Sequence, residues 1–69
     1  MIFTVGVLDI VALRPVFLRE CRGWTTYRHA LDEAEARWPD RDRYHIDHCS
    51  VGREAFQALY IHYRKAVTP

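Results

Sequence analysis

From Ile2 to Leu13 the chain reads IFTVGVLDIVAL, apolar at both sets of alternating positions and rich in Val and Ile. A strand covered on both faces has this pattern, so the spacing predicts the central strand of a sheet, with Gly6 as a candidate bulge. Arg14-Pro15 then interrupts it, because proline has no N–H for the ladder and disfavours the helical region in the residue before it. Val16 to Cys21 offers a second short strand. A short helix opening with Pro15 at its first position would explain the same residues.

Between Thr26 and Trp38 the period changes. Tyr27, Ala30, Leu31, Ala34 and Trp38 recur at helical spacing, while Asp32, Glu33, Glu35 and Arg37 occupy the other face, which predicts an amphipathic helix. Gly23 marks its entrance, Thr25 is the expected N-cap, and Pro39-Asp40 ends it. Beyond a charged loop at Asp40 to Arg43, Tyr44 to Val51 and Ala55 to Arg64 read as two strands joined across Gly52-Arg53. That register puts Tyr44, Ile46, His48 and Ser50 on the core face with Ala55, Gln57, Leu59, Ile61 and Tyr63. His45, Asp47, Cys49, Phe56, Ala58, Tyr60 and His62 then lie on the opposite face. The rival for the last segment is a C-terminal helix, because Phe56, Leu59, Tyr60, Tyr63 and Val67 also repeat at helical spacing. The expected layout is ββαββ, an α+β fold in which a four-stranded antiparallel sheet carries one helix on one face and leaves the other to solvent or a partner.

Composition narrows the function more than the fold. The 69 residues, 49% of them hydrophobic and 28% charged, fit a single small domain spanning residues 1–69, with a core too modest to wall off a deep catalytic cleft. No apolar run approaches the roughly 18–20 residues that span a bilayer, and Met1 to Leu13 carries Asp9 and no basic leader, so a cytoplasmic protein is expected. Net charge is +1, with Arg41 and Arg43 interleaved with Asp42 and Asp47, which disfavours non-specific nucleic-acid binding. Nine of the ten basic residues are Arg, the side chain that forms forked contacts to carboxylates and phosphates, although codon bias gives the same composition. Cys21 and Cys49 are too few for a disulfide scaffold and are expected as reduced, partly buried thiols.

Candidate chemistry is sparse. His45, Asp47, His48 and Cys49, with His62 across the expected hairpin, supply metal-ligand atom types, but strand geometry sends His45 and His48 to opposite faces, and tight ligand pairs are missing. Cys49 beside His48 is the one candidate nucleophile, yet successive strand side chains diverge and no third group orients the base. Neither an enzyme nor a cofactor or metal site is therefore expected. The acidic positions Asp32, Glu33, Glu35 and Asp40 read as a solvated helix face, although such a row can also imitate phosphates toward a basic partner.

The stronger signal is a surface: Phe56, Tyr60, His45 and His62 as an aromatic strip bordered by Arg43 and Arg64. Rigid rings beside arginines are what protein interfaces select, and also what single-stranded nucleic acid stacks upon. A second layer or a symmetric twin covering this face would instead make the rings ordinary core, which leaves a homodimer open.

The strand pair, the helix ending TYRHALDEAEARWP and the segment HIDHCSVGREAFQALYIHYRK, in that order and at this size, resemble the small phage-encoded inhibitors of the anti-CRISPR kind. The resemblance lies in size and element order. It implies a non-enzymatic, stoichiometric protein, without cofactor, that occupies the nucleic-acid path of a larger host protein or ribonucleoprotein in the host cytoplasm. The expected function is accordingly a protein–protein interaction module of the inhibitor type. The alternative is a small single-stranded RNA- or DNA-binding protein using the same face.

Overall fold

The computed structural model describes residues 1–58. Its elements run β1 (Phe3–Asp9), β2 (Arg14–Cys21), α1 (Trp24–Arg37) and β3 (Tyr44–Cys49), followed by helical residues 53–58, here α2. The strands form one antiparallel sheet in the order β2-β1-β3. The α+β class and the central position of the first strand are as the sequence predicts.

The fourth strand is not formed within the described residues. Gly52 accepts a hydrogen bond from the Phe56 amide at 3.0 Å, so the expected hairpin turn is instead the first turn of a helix. Two distant side chains decide the matter. The Glu20 carboxylate on β2 accepts from the Arg53 amide at 2.9 Å, satisfying one of the donors that a helix start leaves unpaired, and the Thr4 hydroxyl on β1 donates to the Val51 carbonyl at 2.8 Å. Glu54, Ala55, Gln57 and Ala58 are in any case good helix formers. The helical rival is therefore the observed form as far as residue 58, and Leu59, Ile61 and Tyr63 lie outside the described residues.

This route also removes the expected free face. Val5 and Val7 pack under α1 with Cys21, Tyr27, Ala30 and Ala34, and Thr4, Gly6 and Leu8, pointing the other way from β1, are buried as well. The contacts from Thr4 and Glu20 bring residues 51–53 back over that second face, and Phe56 is buried to 1% exposure. β1 thus has cover on both sides, as its unbroken apolar run predicts.

Local chemistry shapes the rest. The bulge expected at Gly6 falls in β2, where Val7 pairs with Phe17 and Leu8 with Pro15, leaving Val16 as the extra residue. Pro15, which cannot donate to the ladder, explains its place. β2 nevertheless begins at Arg14, and the alternative short helix at Pro15 does not form. The β1–β2 turn is tied to Asp9, whose Oδ1 accepts from the amides of Val11 and Ala12, each at 3.0 Å. Leu13 takes a left-handed φ of 56° there, a conformation that costs a non-glycine residue about 1–2 kcal/mol.

α1 presents the predicted stripe: Tyr27, Ala30 and Ala34 are buried, and Leu31 and Trp38 pack at the margin. Its N-cap is Gly23, not Thr25, and no side chain caps it. The helix begins earlier than expected because Tyr27 donates to the Gly23 carbonyl at 3.0 Å. On β3, Tyr44 and Ile46 face α1 as predicted, and His48 reaches the Tyr27 hydroxyl from Nδ1 at 2.9 Å.

Candidate interaction surface

Side chains from three elements meet at the C-terminal end of α1. The Trp38 amide donates to the Ala34 carbonyl at 2.9 Å, closing the helix, and the loop beyond is folded by Asp40, whose carbonyl accepts from the amides of Arg43 and Tyr44 at 3.2 and 2.8 Å. Trp38 is thereby held between Phe17 on β2, 5.4 Å away between ring centroids, and Tyr44 at the start of β3, 6.5 Å away. All three rings are half-buried.

Each ring carries an arginine. Arg19 lies over Phe17 at 4.9 Å, Arg37 over Trp38 at 4.5 Å and Arg43 over Tyr44 at 5.3 Å, within the range where a guanidinium is attracted to a ring face. Glu33 ties the first two together: Arg19 donates to its two oxygens at 3.3 and 3.2 Å, and Arg37 donates to Oε2 at 3.5 Å. Arg19, Phe17, Trp38, Arg37 and Glu33 therefore form a closed circuit of contacts on the outside of the α1 and β2 packing.

Arg43 is engaged differently. It donates to Asp9 from Nε at 3.3 Å and from a terminal nitrogen at 3.1 Å, and the Asp9 side chain is only 5% exposed. The Arg43 hydrogen bonds, followed by the Ala12 amide, hold the Asp9 carboxyl below its ordinary range, and the same contact raises Arg43 further. Arg43 is thus largely a structural clamp between β3 and the β1–β2 turn.

At the other end of α1, Trp24 is 65% exposed and stacks edge-on to Phe3 at 6.3 Å. It borders an open groove of about 410 Å³ that Cys21, Arg22 and Thr25 also line. Arg22 is ion-paired with Glu20 at 3.8 Å.

The residues expected to form one strip do not assemble into one. Phe56 is core rather than an exposed anchor. His45 is half-buried and paired in register with Leu8, on the face of β3 opposite Tyr44. Arg43 alone joins the arginine and aromatic surface observed, and Tyr60, His62 and Arg64 lie outside the described residues. Phe17, Arg19, Arg37 and Trp38 were not singled out by sequence. Their signals are short: Phe17 and Arg19 two apart on one strand face, Glu33 and Arg37 one helical turn apart, and Trp38 next to Arg37.

The remaining chemistry is scattered. Among the described residues no three His, Cys, Asp or Glu side chains gather as metal ligands. Cys21 and Cys49 are free and register with Phe3 and Thr4 respectively, so they point to opposite faces. Burial raises the Cys21 thiol pKa. The acidic helix positions are matched by arginines, Asp32 by Arg28 and Glu35 by Arg41. No helix among the described residues is long and apolar enough to cross a membrane. No protein-family model matches the chain, and comparison with curated proteins and with solved structures finds no match.

Proposed function

We propose that this protein is a non-enzymatic protein–protein interaction module, acting stoichiometrically as the small inhibitors it resembles do, on a larger host complex that handles nucleic acid. The observation that carries the reading is the surface of Phe17, Trp38 and Tyr44 with a guanidinium over each ring. Aromatic and arginine side chains dominate the energetics of protein interfaces because a rigid ring buries area at little entropic cost. A nucleic-acid strand needs arginines left free for successive phosphates. Here Arg43 is on Asp9, Arg28 on Asp32 and Arg41 on Glu35. Arg19 and Arg37 share Glu33 and keep one net charge between them, too little for a run of phosphates, which favours a protein partner over the single-stranded RNA or DNA alternative.

Capture of the tagged protein from lysate of its native host, with and without nuclease, tests the reading. A stoichiometric protein partner that survives nuclease supports it, and Trp38→Ala should then weaken that complex by about 2 kcal/mol or more if the ring is an anchor. Loss of every partner on nuclease treatment would transfer the surface to nucleic-acid binding.

A further inference from the structure

The circuit of Arg19, Phe17, Trp38, Arg37 and Glu33 is unbalanced in charge. Two guanidiniums share one carboxylate, leaving one positive charge in excess at that spot. Their side chains are 47% and 59% exposed, and that of Glu33 is 37% exposed. A guanidinium has five N–H donors. Arg19 commits two of them to Glu33 and Arg37 one, so most of the pair's donors are not used on Glu33. Both groups are held in place from beneath by ring faces, at 4.9 Å on Phe17 and 4.5 Å on Trp38. Holding the forks still lowers the ordering cost of the next hydrogen bond they make.

We infer that this pair is the receptor for a carboxylate of the partner protein: an acidic side chain seats between Arg19 and Arg37, and an adjoining apolar side chain packs on the exposed parts of Phe17 and Trp38. The inference rests on the interaction reading above and names the chemistry of its partner. Charge complementarity selects this occupant. The excess is a single charge, enough for one carboxylate, and the neighbouring cations are neutralised by Asp9 and Glu35. A phosphate chain, with a charge at every nucleotide, would find those neighbouring arginines already paired. Glu33 sets the selectivity, since it orients both forks while leaving them one charge short.

The test is a titration of the whole, isotope-labelled protein followed by NMR at the Arg19 and Arg37 Nε–H and the Trp38 indole N–H. The probe is the blocked peptide acetyl-Glu-Leu-Glu-Leu-Glu-amide, with its all-Gln counterpart as control and a ten-residue oligothymidylate as competitor. The expected result is that the Glu peptide shifts these three signals and the Gln peptide does not. Arg37→Gln should weaken binding by about fivefold or more, the discrimination expected when one charge-assisted contact is lost. Glu33→Gln should strengthen it. Equal shifts with the Gln peptide, no shift at all, or tighter binding of the oligothymidylate would each overturn the inference. Failure here with nuclease-resistant capture intact would remove the carboxylate seat alone, whereas nuclease-sensitive capture would remove the interaction reading with it.

Discussion

Replacing Phe56 with alanine tests the second layer of the fold most directly. The side chain is 1% exposed, and truncating a fully enclosed phenylalanine costs about 3–5 kcal/mol, from lost burial and the cavity left behind. A domain of this length has a total stability of roughly 3–10 kcal/mol, so the variant sits near its unfolding threshold at room temperature. Phe56→Leu, which keeps most of the apolar volume, should cost about 1 kcal/mol and remain folded. Urea denaturation followed by the fluorescence of Trp24 and Trp38 and by far-ultraviolet circular dichroism reads both variants. With a slope of about 1 kcal/mol per molar for so small a chain, Phe56→Leu should lower the midpoint by about 1 M and Phe56→Ala by about 3 M or more. If residues 53–58 were instead a strand carrying Phe56 on an open face, the alanine variant would lose less than about 1 kcal/mol. A midpoint shift below about 1 M for Phe56→Ala would refute the enclosed second face.

Thr4→Val keeps the shape of the side chain but leaves the Val51 carbonyl without its donor, and should cost about 1–2 kcal/mol. Amide hydrogen exchange at Phe56 should accelerate in that variant, and unchanged exchange would separate α2 from the Thr4 contact. Tyr27→Phe removes the hydroxyl on His48 Nδ1 and should cost about 0.5–1.5 kcal/mol, with a matching change in the His48 ring nitrogen shifts. The Asp9 carboxyl is held below its ordinary pKa of 3.8, so its stabilising effect is complete above that value and is lost as the pH falls through the lower, folded-state pKa. Asp9→Asn should accordingly flatten the fall in melting temperature below pH 4, and an unaltered acid limb would exclude Asp9 as a source of acid sensitivity. Ellman's reagent should modify the half-buried Cys49 quickly and the buried Cys21 slowly, the difference vanishing in denaturant.

The parts of this fold that are legible in sequence are those set by a local period. Tyr27, Ala30 and Ala34 repeat often enough to fix the buried stripe of α1. The strict alternation of β3 assigns Tyr44, Ile46 and His48 to one face even though residues 55–58, which the same alternation extends into the next strand, are helical. The segment after Gly52 was not decidable that way, because Phe56 satisfies a period of two and a period of 3.6 equally well over so short a window. What settles its described part is tertiary: a hydroxyl at Thr4 and a carboxylate at Glu20, far upstream in the chain. The arginine and aromatic surface was hidden for a related reason. Tyr44 reads as core face, Trp38 as part of the apolar helix stripe and Phe17 only as a residue of a short strand, and only the fold brings them side by side.

The order β2-β1-β3 also has a consequence for how the chain is made. The central strand precedes both of its neighbours in sequence. β1 can zip to β2 through a short local turn almost as soon as both exist, but its other edge must wait until Tyr44–Cys49 has been synthesised. At about 5–20 residues per second, that wait lasts several seconds. Throughout it, the backbone donors and acceptors of Thr4, Gly6 and Leu8, which face β3 in this register, have no strand beside them, and an open, apolar strand edge is a template for another chain. A product terminated before Tyr44 would keep that edge permanently, with a site for pairing to a second copy that the complete sheet has closed.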